Sequence, residues 1–183
     1  MTLERIKYRA SQFREAILVA PEPADLELAG NYLNSAQMAL FSQMQPSEQA
    51  HSLRVFKLLL HAHEEDHDLL VAALLHDVGK SRYPLSLWER ITIVILKSIF
   101  PNHVREWGLD TQTRDTDPKK ISWRRPFIVA EQHPRWGAEM ASAAGATPLT
   151  ASLILKHQTT ISADPAALED RLLLELQAAD SAC

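Results

Sequence analysis

Residues 69–75 read LLVAALL, and the two residues that follow, His76 and Asp77, are polar. Asp68 stands before this run as its expected cap, and Gly79 stands after it, where glycine suits a left-handed helix stop. A helix without a polar face is buried in the centre of a domain. The chain must therefore fold around this segment, with an imidazole and a carboxylate at its buried end. Both groups are costly to bury without partners, the carboxylate more so. A cation offsets that cost, and the partial negative charge of a helix C-terminus favours one. Adjacent helical positions point about 100° apart, so His76 and Asp77 reach one ion together only near a helix end or from a cleft. Further ligands must come from other helices.

Composition narrows what such an ion would meet. The chain has 183 residues, with one cysteine, Cys183, and eight histidines. A disulfide framework and a thiolate cluster are excluded, so a metal would be held by nitrogen and oxygen. A hydrophobic fraction of 46% and a charged fraction of 23% fit one globular domain. The net charge of −4 gives no reason to expect nucleic-acid binding. Every strong apolar pattern has helical period and glycines number five, so the expected class is all-α.

Along the chain, a first helix is expected over 2–19, ending before Pro21 and Pro23, and a second over 23–41. A third begins at Pro46-Ser47-Glu48 with Ser47 as its cap and runs to about His61. Residues 82–122 read as an insertion holding Pro84, an amphipathic helix over 86–100 and the polar loop DTQTRDTDPKK. In that helix Trp88, Ile91, Ile95 and Ile99 recur at helical spacing, with Ile93, Val94 and Leu96 widening the stripe. An ordinary buried helix is expected there, and contact with a partner or a membrane surface is the other reading. Helices then restart over 124–132 and again after Pro134, ending before Gly145. Pro148 opens another that ends near His157, and the last, capped by Asp164 with Pro165 in its first turn, runs to Asp180. The N-terminus lacks an apolar core and a small-residue cleavage site, and the longest apolar run, Ile91 to Phe100, is interrupted by Lys97. It falls short of the ~20 residues that span a bilayer, so a cytoplasmic protein with no transmembrane segment is expected.

Four polar residues are candidates to join His76 and Asp77. His51 shares a helix face with Val55, Leu58 and Leu59, His133 sits before Pro134 at an expected helix junction, and His157 closes LTASLILKH. Asp180 ends the last helix, where a carboxylate opposes the dipole unless something positive is near. Taken singly, a histidine on an apolar face is more often a satisfied core residue than a ligand. His61, His63 and His67 lie in a polar connection, where His67-Asp68 reads as a cap and solvated loop, and His103 reads as surface. Lys80 is a helix-end cation or a contact for a substrate oxygen. Arg124, Arg125 and Arg135 are solvated or meet a phosphate. Trp136 reads as core and Cys183 as an inert terminus.

Taken together, His51, LLHDVGK (74–80) and QAADS (177–181) resemble, in that order, the HD superfamily of metal-dependent phosphohydrolases. The likeness spans residues 47–183, leaving 1–46 as an N-terminal helical extension and about 82–122 as an insertion with its own helix. HPRWGAEMA (133–141) and LILKHQ (153–158) resemble the HP-x-x-G and I-x-x-H segments of the HDIG-type, two-metal subgroup. That resemblance implies a helical bundle and two divalent ions, iron, manganese or another transition metal. One ion would take His51, His76, Asp77 and Asp180. The second would take His133 and His157, with Asp77 bridging both. It implies attack by metal-bound hydroxide on a phosphate ester, a nucleotide or small phosphorylated metabolite, with Asp77 and Lys80 as catalytic residues. The chain is similar to the HD-GYP phosphodiesterases in HDVGK but lacks their GYP segment; Arg82-Tyr83-Pro84 stands in the wrong place. Gln158 replaces the second histidine of the usual pair, a departure that bears on substrate contacts rather than the metal. The insertion reads as a lid or partner surface. Two other readings stay open: a di-iron oxygenase built on the same ligands, and a non-catalytic nucleotide-sensing module, against which the complete ligand set argues.

Overall fold

A computed structural model describes residues 20–62, 66–109, 123–160 and 167–183. Among these residues there are nine α-helices, one short 3₁₀ helix and no strand. The expected helix over 2–19, the loop over 110–120, His63, Asp164 and Pro165 lie outside the described residues.

The expected single helix over 23–41 is two, α1 (Pro23–Gly30) and α2 (Ser35–Ser42). Asn34 makes the break. Its side chain accepts the Gln37 N–H at 2.9 Å, while the Gln37 side chain accepts the Asn34 N–H at 2.9 Å. Helix α3 (Pro46–His61) starts at its proline, so Ser47 is inside it and not its cap; Glu48 reaches back to accept the Gln45 N–H at 3.3 Å.

The apolar segment forms α4 (His67–Leu75), capped by Asp66, which accepts the Leu69 N–H at 3.0 Å. Asp68 is not the cap; it accepts hydroxyl hydrogen bonds from Thr147 and, at 2.7 Å, from Thr150. The helix also stops earlier than expected. His76 is its C-cap, Asp77 follows, and the chain tightens into the 3₁₀ helix Val78–Arg82. Gly79 is therefore no left-handed stop, and the positive φ, 81°, belongs to Gly145. Gly79 answers to a close approach instead: a Cβ there would lie 2.0 Å from the His133 carbonyl oxygen and 2.6 Å from the Gly137 nitrogen. That nitrogen and oxygen belong to α7 (Arg125–Ala143), one continuous helix that carries straight through Pro134. The expected junction at His133 is absent because packing decides here. An internal proline costs about 3 kcal/mol, set against the burial of Phe127, Ile128, Val129, Trp136 and Ala141 on the same helix.

Every residue from Leu69 to Leu75 is buried, packed among Phe41, Leu53, Phe56, Leu153, Ile154, Leu172 and Leu176. Ala29, Leu33 and Met44 belong to the same cluster. Helices α8 (Pro148–Lys156), capped by Thr147 and ending at His157 as expected, and α9 (Leu168–Ala182) complete this packing.

The segment 82–122 differs from expectation. Its described residues hold two helices, α5 (Leu87–Ile99) and α6 (Pro101–Leu109), and α5 has no buried residue. Trp88 is 76% exposed, and Ile99 and Phe100 about half, so the expectation of a buried helix fails. The reason is that α5 touches the rest along a narrow strip, Ile93 meeting the small cluster of Leu85, Val129 and Trp136. Polar contacts hold it there. Arg90 reaches across to α3, its Nη2 2.6 Å from Glu48 Oε1 and its Nη1 3.2 Å from Ser47 Oγ. No helix among the described residues is long and apolar enough to cross a membrane.

Two stability outcomes follow. Gly79→Ala should cost about 3 kcal/mol, because backbone rather than a flexible side chain must yield. Arg90→Met should cost about 3 kcal/mol by leaving Glu48 buried and unpaired, and Glu48→Gln with Arg90→Met should recover most of that. Urea denaturation of the three variants checks both.

Candidate metal centre

Five helices deliver six side chains to the C-terminal end of α4. His76 and Asp77 come from that end, His51 from α3, His133 from α7, His157 from the end of α8, and Asp180 from the last turn of α9. All six candidate ligands are brought together. Ligand atoms of His51, His76 and Asp180 lie within 4.8 Å of one another, and so do those of Asp77, His133 and His157. Asp77 stands between the two groups. Its Oδ1 is 3.3 Å from His133 Nε2, and its Oδ2 is 3.6 Å from His76 Nε2. On the outer side His51 Nε2 is 2.8 Å from Asp180 Oδ1.

The imidazoles are held in one tautomer by backbone. His76 Nδ1 bonds the Ala73 carbonyl at 2.9 Å, His133 Nδ1 that of Val129 at 3.1 Å, and His157 Nδ1 that of Ile154 at 2.7 Å. A carbonyl only accepts, so each Nδ1 carries a proton, and each ring in its neutral form turns a lone pair on Nε2 to the centre. Nε2 of His76 and Nε2 of His157 are buried without a hydrogen-bond partner. A buried nitrogen of this kind calls for an ion or a water as its partner. With carboxylates alongside, the donor set fits divalent transition metals.

Electrostatics favour the ligating forms. Burial, reinforced by His76 and His133, pushes the His157 pKa down to about 3. Burial also lowers that of His133. Burial opposes ionisation of Asp77, but Lys80, His76 and His133 outweigh it and hold the carboxyl well below the usual range. Asp180 is likewise lowered, His51 and His76 overcoming its burial. His76 is the exception. Burial lowers its pKa, but Asp77 and Asp180 beside it bring the net shift upward.

Lys80 Nζ donates to Asp77 Oδ2 at 2.6 Å and keeps its charge, since Asp77 and Glu48 outweigh its own burial. Its ammonium stands where a cavity of about 200 Å³ opens, lined also by Glu48, Arg90, Ile93, His133 and Gln158. Gln158 Nε2 is 3.4 Å from His133 Nε2. Glu48 and Arg90 were not legible as site residues. Glu48 read only as a helix-start acid, and the one usable signal for Arg90 was a lone arginine within the apolar stretch WERITIVILK.

The remaining candidates stay outside. His61, His67 and His103 are exposed. Arg125 pairs with Glu89, Arg135 bonds Gln132 and Glu139, and the Arg124 guanidinium lies 4.9 Å from the Trp123 ring centre. Trp136 is buried, as expected, and Cys183 is exposed.

In a comparison with protein families, the HD domain matches residues 49–182. Searches of curated proteins and of solved structures find no match.

Binding of a divalent ion should stabilise the fold by ~2.7 kcal/mol at about 100 times Kd. For a chain of this size that is a rise in Tm of about 5–10 °C. Thermal denaturation with manganese, iron or zinc measures it; a chelator should reverse the rise and His157→Ala should shrink it.

Proposed function

The chain belongs to the HD domain family, whose members are generally metal-dependent hydrolases, and from that premise we propose that it is a phosphohydrolase of the HDIG-type, two-metal kind. Its substrate is a phosphate ester, a nucleotide or other small phosphorylated metabolite. The observation that carries this reading is the placement of Asp77, with one carboxylate oxygen toward each group of ligands and a lysine ammonium on the oxygen nearer the first.

His51, His76, Asp77 and Asp180 would hold one ion, and His133 and His157, with Asp77 shared, the other. Two divalent ions there supply an acidified water as nucleophile and take up charge on the phosphoryl oxygens. The chain's own groups do the rest. The three Nδ1–carbonyl bonds fix ring orientation before any ligand arrives. Burial keeps His133 and His157 neutral and able to ligate. Lys80 positions a phosphoryl oxygen from the cavity side and keeps its proton on Nζ, because Asp77 holds it charged. A cation so placed suits the negative charge of a phosphate ester. Residues 47–183 form the HD domain in this reading, with 1–46 an extension and 82–122 an insertion.

Wild-type protein should purify with two divalent ions per chain and release phosphate from members of a phosphorylated-metabolite panel. Asp77→Ala should lose ions and turnover together. Lys80→Met should keep the ions and lose about 10²-fold in kcat, the scale of removing one charge-stabilising donor. Metal analysis beside phosphate release decides it. Oxygen uptake by iron-loaded protein with no phosphate from any ester would overturn the reading.

A further inference from the structure

Two cavities meet at the same pair of side chains. The inner one, about 200 Å³, begins at Lys80 and His133 and is walled by Leu85, Ile93, Val94 and Val129. The outer one, about 660 Å³, is lined by Lys97, Arg105 and Arg135, with Glu131 the one acid on its wall among the described residues. Lys97 and Gln158 line both, so a ligand seated at the metal centre can extend past them into the outer space.

The face that α5 turns to this cleft is the reverse of an ordinary surface helix. Arg90, Ile93, Val94 and Lys97 recur at three- and four-residue spacing and line the inner cavity, which puts two cations on the inner side. Trp88, Ile95 and Ile99, spaced by seven and four residues, stand exposed on the opposite side. A surface helix places its charges outward and its apolar residues inward. Here Arg90 is consumed by Glu48, but Lys97 is not: neither Lys97 nor Arg105 has an ion-pair or hydrogen-bond partner among the described residues. Arg135, by contrast, is engaged by Gln132 and Glu139.

We propose that this cleft is built for a substrate with two anionic groups. One is the phosphate that reacts beside Lys80, and the second is a phosphate or carboxylate held by Lys97 and Arg105. The part between them is an apolar chain or ring lying along Leu85, Ile93 and Val129. This rests on the phosphohydrolase reading for the first group only. The second group needs its own cations because none of the six candidate ligands lines the outer cavity, where Lys97 and Arg105 stand.

The test uses full-length, manganese-loaded protein and non-hydrolysable probes: α,ω-alkane bisphosphonates, the matched alkyl monophosphonates and ω-phosphonocarboxylates of three to eight carbons. Calorimetry should find one bisphosphonate length that binds at least tenfold more tightly than its monophosphonate. That exceeds the twofold statistical advantage of two equal ends. The excess should vanish in Lys97→Ala with Arg105→Ala and persist in Arg171→Ala, which removes an exposed cation from α9. The phosphonocarboxylates tell whether the second anion is a carboxylate. A ratio within twofold at every length, or a preference that survives the double substitution, overturns the proposal. Phosphate release from ordinary esters is scored separately. Release without the preference leaves the hydrolase reading standing and this one fallen, and preference without release does the reverse.

Discussion

A carboxylate residue with 4% of its surface exposed follows α4, whose residues from Leu69 to Leu75 are all buried, and the structure is arranged around keeping it charged. Burial alone would drive Asp77 neutral. Lys80, three residues on, and His76 and His133 beside it prevent that. Each requirement selects an element. Lys80 reaches back because the chain tightens into a 3₁₀ turn directly after Asp77. His133 reaches Asp77 because α7 lies against that turn so closely that Gly79 has no room for a side chain. The same helix continues through Pro134, held by the burial of residues on both sides of the proline. The buried imidazoles answer to the same demand, since they add nitrogen ligands without adding negative charge next to Asp77.

Much of this was written in the residues. The central helix follows from LLVAALL, and the costs of burying His76 and Asp77 point to a cation. The six candidate ligands are weak signals singly, and it is the resemblance to the HD superfamily that joins them into one set. What sequence could not give was exact punctuation. Asp68 reads as the cap on paper, yet Asp66 caps the helix and Asp68 is engaged by Thr147 and Thr150, which are distant in sequence. Pro134 reads as a break under local rules and is overruled by long-range packing. Gly79 reads as a left-handed stop, yet its reason lies on another helix, in the His133 carbonyl. The apolar stripe of α5 misled for a related cause: periodicity finds a face but does not say what covers it. Glu48 and Arg90 escaped notice because an ion pair 42 residues apart leaves no local pattern.

Helix α5 and the cluster of candidate ligands are thus tied by charge instead of by a shared apolar core. Ile93 contributes a small contact, but Arg90 on Glu48 is what fixes α5 against α3, one turn before His51. Glu48 faces Lys80 as well as Arg90, and burial raises its pKa even against both cations. The wall of the inner cavity is therefore connected to Asp77 through alternating charges: Arg90, Glu48, Lys80, Asp77.

The bonds from His76 to Ala73 and from His157 to Ile154 have a second meaning. Both histidines are C-cap residues, and a helix end leaves carbonyls with no amide to receive. The imidazole N–H fills that vacancy from three residues away, so the proton that ends the helix is the one that fixes the tautomer. Two of the six candidate ligands are in this way terminators first. Their aim is encoded within four residues of chain, and tertiary assembly has only to bring rings that are already oriented into register.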